Sequence, residues 1–180
     1  MVFSGLPGSG KSWLAERFAP LVGLEVIDKD DVLERLFESR GIGDAAWRRQ
    51  LSRESDDLFR REAECSAGAL LVSFWRLPGM PSESGTPVNW VRDLSNRIVQ
   101  VHCACAPEIA AARYCRRTRH AGHLDGRKSH DEVLQGLQTI SRLPPPQFRP
   151  RIDIDTSSDV NVNVLAGVIV DGLAVQPQRG

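Results

Sequence analysis

The sequence predicts a parallel α/β sheet covered by helices on both faces, and three observations predict it. Apolar runs of strand length alternate five times with helix-like stretches along the 180 residues, the pattern of a parallel sheet built from crossovers. One run, Ala69-Leu70-Leu71-Val72-Ser73-Phe74-Trp75, is apolar almost throughout rather than alternating, as strands buried on both faces are. The first strand–helix junction holds Gly5-Leu6-Pro7-Gly8-Ser9-Gly10-Lys11-Ser12, a full match to G-x-x-x-x-G-K-S/T in the context where that pattern binds phosphate. In such sheets ligands collect beyond the carboxyl ends of the strands.

The first strand, Met1-Val2-Phe3, is short, which fits either a late start or a trimmed strand. The helix after the glycine-rich loop is expected from Lys11 to Ala19, with Leu14 and Phe18 as its core pair and Pro20 helping to end it. A second strand, Leu24–Ile27, runs into Asp28-Lys29-Asp30-Asp31 and a helix marked by Val32, Leu33, Leu36 and Phe37, which Gly41 and Gly43 break. A longer helix from about Asp44 to Gly68 leads to the strand Ala69–Trp75, and residues 76–88 are loop. A short helix near Val88–Arg97 precedes the strand Arg97–Cys103, and Pro107 suits the first turn of a helix reaching about Thr118. Ser129-His130-Asp131-Glu132 has the form of a capping box opening a helix to about Ile140. The last strand is Arg151–Ile154, the last helix about Asp159–Leu173.

Composition narrows the function. Hydrophobic residues make 41% of the chain, and 23 Lys and Arg balance 23 Asp and Glu, so bulk charge argues against nucleic acid or an acidic membrane as partner. No apolar run nears the roughly 18 residues that span a bilayer. The N-terminus reads as strand and loop rather than signal peptide, so the expected location is cytoplasmic. Cys103 and Cys105 are expected as buried thiols of a strand rather than zinc ligands, since their spacing is not C-x2-C.

The glycine-rich loop supplies the chemistry. Its glycines let backbone N–H groups curl inward as an anion nest at a helix N-terminus. Gly5, Pro7, Gly8, Ser9, Gly10, Lys11 and Ser12 are thus the candidate nucleotide-binding set, with Lys11 on the β- and γ-phosphates and the Ser12 hydroxyl on Mg2+. Asp28 and Asp30, read as extended chain, share a face where a phosphoryl acceptor would enter. One would hold Mg2+ or its waters and the other orient and deprotonate a hydroxyl; the plainer alternative makes Asp30 or Asp31 the N-cap of the next helix. Arg113, Arg116, Arg117, Arg119, Arg127 and Lys128 gather six of the 23 basic residues around a single interior acid, Asp125, together with His120, His123 and His130. Guanidinium suits phosphate oxygens, which points to a lid closing over a triphosphate; the alternative is a solvated basic helix end.

Together these residues resemble the P-loop kinases of small molecules and nucleotides. The nearest group is similar to the ATP-dependent kinases related to chloramphenicol phosphotransferase, zeta-toxin kinases and the 5′-polynucleotide kinase domain. The resemblance runs from GLPGSGKS through I-D-K-D-D-V-L and C-A-P-E to Asp155-Thr156. It implies a three-layer P-loop NTPase fold with five parallel strands in the order 2-3-1-4-5, one domain over residues 1–175 with a lid at about 113–130, and a frayed tail at 176–180. It also implies ATP and Mg2+ as cofactors, Asp30 as base toward the acceptor, and lid arginines on the ATP phosphates. Arg113 and Arg117 fit that lid pattern best, Arg116 being an equally placed neighbour. Two positions depart from it: Trp13 stands where a small Thr is usual, and the third strand ends without the acidic residue often found there.

The expected activity is transfer of the γ-phosphoryl of ATP to a hydroxyl of a small molecule. Lys11, Asp30 and Arg117 are the catalytic set, and Ser12 and Asp28 the metal set. The alternatives are a nucleotide-binding switch with little transfer, which the missing carboxylate favours, and a kinase of nucleic-acid 5′ ends. The acceptor and the oligomeric state are not encoded in any motif.

Overall fold

Five short strands pair edge to edge through backbone hydrogen bonds, and the central ones send side chains into a core on each face of the sheet. The computed structural model describes residues 1–94 and 98–174. Strands β1 (Val2–Gly5), β2 (Glu25–Asp28), β3 (Ala69–Val72), β4 (Gln100–Ala104) and β5 (Arg151–Asp155) form a parallel sheet of order β2-β3-β1-β4-β5. Register sets Val2 beside Leu71 and Gln100, and Asp28 beside Val72. The carboxyl ends of β1 and β2, with Gly5 and Asp28, therefore open on the same rim.

Among the described residues seven α-helices surround the sheet: α1 (Lys11–Val22), α2 (Lys29–Arg40), α3 (Ala45–Cys65), α4 (Val91–Leu94), α5 (Pro107–Arg116) and α6 (His130–Ser141) between strands, and α7 (Val162–Ala174) after the last. Successive residues of a strand point to opposite faces, so Val2 joins one core and Phe3 the other. Val2, Ile27 and Leu71 pack with Phe59, Trp75 and Trp90. Phe3, Leu70 and Val101 pack with Leu14 and Phe18 of α1 and Leu165 and Ile169 of α7. This two-sided burial is why β3 is apolar without alternation. Between the central strands lies one satisfied polar chain. Gln100 donates to Ser4 Oγ at 2.8 Å and accepts from the Phe148 N–H at 2.9 Å, while the Ser4 hydroxyl meets His102 Nδ1 at 2.9 Å.

Several expected boundaries move. The first helix runs through Pro20 to Val22 and stops at Gly23, whose φ of 65° provides the left-handed cap; a proline in the last turn loses one bond without breaking the element. The cap of α2 is Asp28, not Asp30 or Asp31: its side chain accepts the Asp30 N–H at 2.9 Å. β3 stops at Val72 because Ser73 and Trp75 turn toward the following loop, where the Ser73 and Thr86 hydroxyls bond at 2.6 Å and Trp75 bridges Thr86. α3 ends at Cys65 and α5 at Arg116, before the expected Gly68 and Thr118. α7 begins at Val162 rather than Asp159. The capping box forms as expected, with Ser129 and Glu132 bonding reciprocally. Of the thiols, Cys103 is buried, Cys105 half-buried just past β4, and Cys65 and Cys115 exposed, so the expected pair of strand thiols is a single one. The expected strand start at Arg97 and the tail 176–180 lie outside the described residues.

Candidate functional site

Glycine makes the loop between β1 and α1 possible in two distinct ways. Gly5, Gly8 and Gly10 have φ of 143°, 81° and 87°, a region L side chains rarely adopt. At Gly8 there is also no room: a Cβ would lie 2.2 Å from the carbonyl oxygen of Ala110 in α5. At Gly10 a Cβ would meet nothing within 4 Å, so that side of the loop is open.

Lys11 sits at the centre. It is 9% exposed, and its ammonium donates to the carbonyl oxygens of Gly5 at 3.1 Å and Leu6 at 2.9 Å. Burial drives its pKa below the ordinary lysine value, offset in part by the charges of Asp30 and Asp28. The Ser12 hydroxyl donates to Asp28 Oδ2 at 2.6 Å. Burial pushes the Asp28 carboxyl up to about 6, the nearby Asp30 charge adding to it, against the Ser12 and Asp30 hydrogen bonds. Asp28 and Asp30 lie close enough for their charges to interact, but not as alternating extended residues: Asp28 ends a strand and Asp30 stands in the first turn of α2.

Asp30 is held from the opposite side by Arg119, whose Nη2 lies 2.6 Å from Asp30 Oδ2. Burial pushes the Asp30 carboxyl up, but Arg119, His123 and Lys11 outweigh it and hold it below its ordinary value, so it is ionised at neutral pH. Arg119 Nη1 also pairs with Asp125 at 3.1 Å, and Asp125 takes Arg117 at 2.9 Å and the Tyr114 hydroxyl at 2.6 Å. The Arg117 guanidinium lies over the Tyr114 ring, 4.2 Å from its centroid. Lone acid of the basic segment, Asp125 is its organiser.

The same segment is seated on α2. His120 stacks on Phe37 at 5.3 Å, and a Cβ on Gly122 would run into that ring at 2.4 Å. His123 Nε2 lies 2.7 Å from Glu34 Oε1; burial and the Arg119 charge lower its pKa, so the imidazole is neutral.

Of the expected arginines, Arg117 lies close enough to Lys11 for its charge to lower that pKa, and its buried Nε has no partner among the described residues. Arg113 turns elsewhere. Its guanidinium donates to the carbonyls of Thr156 at 2.6 Å and Ser157 at 3.3 Å, on the wall of a cavity of about 270 Å³ shared with Gly10, Trp13, Asp159 and Val160. Arg116 is at the exposed end of α5. Arg119, which pairs with Asp30, belongs to the basic run read from the sequence but not to its catalytic or nucleotide-binding set; the signal for it was Asp125, an acid alone among arginines.

Two orphaned or open features fit a bound polyphosphate: the buried Ser9 hydroxyl, without a partner among the described residues, and the open side at Gly10. The oxygen pair of Ser12 and Asp28 fits Mg2+, which takes one or two carboxylates and leaves the rest to water and phosphate. Among the described residues no three His, Cys, Asp or Glu side chains cluster as a complete metal cage, and none is long and apolar enough as a helix to cross a membrane.

Residues 1–139 match the model of a family described as AAA domain. Among solved structures, a candidate kinase from Chloroflexus aurantiacus superposes with a TM-score of 0.75 at 20% identity, covering 94% of this chain and 96% of that one. A shikimate kinase from Bacteroides thetaiotaomicron gives 0.59 at 16% identity over 97% and 98%. A gluconokinase from Sinorhizobium meliloti gives 0.58 at 20% identity over 96% and 90%. At these identities the likeness is one of fold. No curated protein matches the sequence.

Proposed function

The chain belongs to the AAA domain family, and from that premise we propose that it is a kinase transferring the γ-phosphoryl of ATP to a hydroxyl of a small molecule. The observation that carries this reading is the position of Asp30: an ionised carboxylate at the rim, coupled to Lys11 on one side and Arg119 on the other. A phosphate-binding loop alone needs no such group. A carboxylate beside the γ-phosphate position is what a hydroxyl nucleophile requires.

In this reading the N–H groups of residues 5–12 and the Lys11 ammonium hold the phosphates. Lys11 exchanges its two carbonyl partners for phosphate oxygens, and the low pKa imposed by burial rises again beside that charge. Ser12 and Asp28 hold Mg2+, which neutralises phosphate charge when bound. Asp30 orients the acceptor hydroxyl and takes its proton. Arg117 meets the charge that develops on the transferred group, and Arg113 stays near the nucleotide. The segment Arg117–Lys128 acts as the lid that excludes water. Similarity of fold to shikimate kinase and gluconokinase supports a small hydroxylated acceptor and a cytoplasmic location, where ATP and Mg2+ occur together.

The test is phosphate transfer from ATP with Mg2+ across a panel of polyols, sugars, hydroxy acids and nucleosides, beside Lys11→Ala and Asp30→Asn. One acceptor labelled by the wild type and by neither variant supports the kinase. A second reading, a nucleotide switch, is favoured by one observation: β3 ends in Val72-Ser73 with no carboxylate, and the Ser73 hydroxyl is engaged by Thr86. ATP binding that survives Asp30→Asn, with no acceptor labelled, would select the switch.

A further inference from the structure

Three of the four tryptophans are withdrawn from solvent. Trp75 and Trp90 are 1% and 6% exposed, and Trp47 is half-buried. Trp13 is 42% exposed, in the first turn of α1 directly after the phosphate loop. An indole left in water costs free energy, and this one is also held in place: the Arg17 guanidinium, one helical turn on, lies 4.2 Å from its ring centroid. A fixed, exposed aromatic beside a phosphate site is a surface prepared for another flat ring.

The cavity beside it gives that ring a place. Its volume is about 270 Å³, and Trp13, Arg113 and Val160 are among its walls. That is just below the range of about 300–1,000 Å³ for drug-sized ligands, enough for a heterocycle but not for a whole nucleotide. Gly10 also lines it, so the cavity opens onto the phosphate loop. Arg113 is immobilised by the Thr156 and Ser157 carbonyls, which presents its guanidinium plane without loss of side-chain freedom on binding. Asp30 and Arg119 are not on these walls, so the cavity is separate from the acceptor side.

We propose that Trp13 is a base-binding residue: the indole stacks on the purine ring of the nucleotide whose phosphates the Gly5–Ser12 loop holds. The proposal rests on the nucleotide reading above and adds the residue that grips the base. It explains why a bulky ring is tolerated at an exposed position next to the phosphates. It also orders affinity among triphosphates, purine above pyrimidine, because the larger ring offers the larger stack.

The test measures equilibrium binding of Mg-ATP, Mg-CTP and inorganic tripolyphosphate, which has neither base nor ribose, by calorimetry to wild type, Trp13→Ala, Trp13→Phe and Lys11→Ala. Trp13→Ala should weaken ATP on the order of ten-fold and leave tripolyphosphate unchanged, while Trp13→Phe stays within about three-fold of wild type. Indole emission should change when ATP binds wild type and not when it binds Trp13→Phe. An unchanged ATP affinity in Trp13→Ala, or equal loss for ATP and tripolyphosphate, would overturn the base-stacking role and leave nucleotide binding standing. Wild-type protein that binds neither ATP nor tripolyphosphate would overturn the nucleotide reading itself, and this inference with it.

Discussion

In the proposed kinase the phosphate loop at Gly5–Ser12 and the arginine segment at Arg117–Lys128 both serve phosphate, yet they are held by different forces. The loop is fixed by backbone: three glycines at positive φ, a contact that excludes even a methyl at Gly8, and a lysine bonded to two carbonyls of its own loop. The segment is fixed by side chains: Arg117 and Arg119 share Asp125 and Arg119 reaches Asp30 as ion pairs, while the neutral His123 adds a hydrogen bond to Glu34. Backbone geometry does not respond to salt or pH in the accessible range, whereas partly buried ion pairs do.

The comparison can be broken most directly at Gly8. Gly8→Ala places a Cβ 2.2 Å from the Ala110 carbonyl at a φ of 81°, and overpacking with backbone strain should cost about 2–4 kcal/mol. Urea denaturation reads this as a lowered midpoint, with Gly10→Ala, where space is open, costing only the strain of its φ. Equal losses at the two positions would mean that contact with α5 contributes nothing.

Next in size is Asp125→Asn. It frees both arginines from their shared partner and should cost about 1–3 kcal/mol, shrinking as salt is raised, while the Gly8→Ala loss stays salt-independent. A salt-independent Asp125→Asn loss would remove the distinction between the regions.

A smaller effect has a clean reporter, because Tyr114 is the only tyrosine in the chain. Burial, then its bond to Asp125, pushes its phenol up to about 12 from the ordinary 10.0. A raised acid stabilises the folded state below its unfolded pKa and loses that contribution as pH rises through the folded one. Phenolate absorbance should therefore appear late in wild type and at lower pH in Asp125→Asn. An unmoved titration would place Tyr114 outside the network.

The smallest effect is acidic. With its pKa lowered from 6.5 by burial and by Arg119, His123 contributes stability above that ordinary value that is lost as pH falls through the lowered one. Glu34, Asp30 and Arg119 face it and modulate the loss. Melting curves at pH 7.5 and 5.5 should differ less for His123→Gln than for wild type; equal differences would mean that the imidazole takes no part.

The contrast also explains what the sequence could show. The phosphate loop was legible because eight consecutive residues encode it, and the sheet because burial on both faces leaves an unbroken apolar run at Leu70–Val72. The Asp30–Arg119–Asp125 arrangement was not, since it joins residues about ninety positions apart along the chain and depends on where α5 stops. Arg113 and Arg117 stand out equally in the sequence, yet one bonds to the loop after β5 and the other to Asp125. Helix spacing alone does not say which way a guanidinium turns. The alternative that put the N-cap of α2 at Asp30 or Asp31 falls two or three residues late for a related reason: Asp28, Asp30 and Asp31 are chemically alike, and only the end of β2 decides which one caps.

The clearance between Gly8 and Ala110 has a consequence for how the molecule could move. A fit that admits no extra methyl joins the phosphate loop and α5 closely, and Arg113 on α5 keeps its place relative to Gly5–Ser12. α5 ends at Arg116, so Arg117 and Arg119 lie beyond that joined unit. In the proposed kinase the arginines thereby divide into one anchored beside the phosphate loop, Arg113, and a pair beyond the end of α5, Arg117 and Arg119, whose contacts with Asp125 and Asp30 can form and break without disturbing that loop.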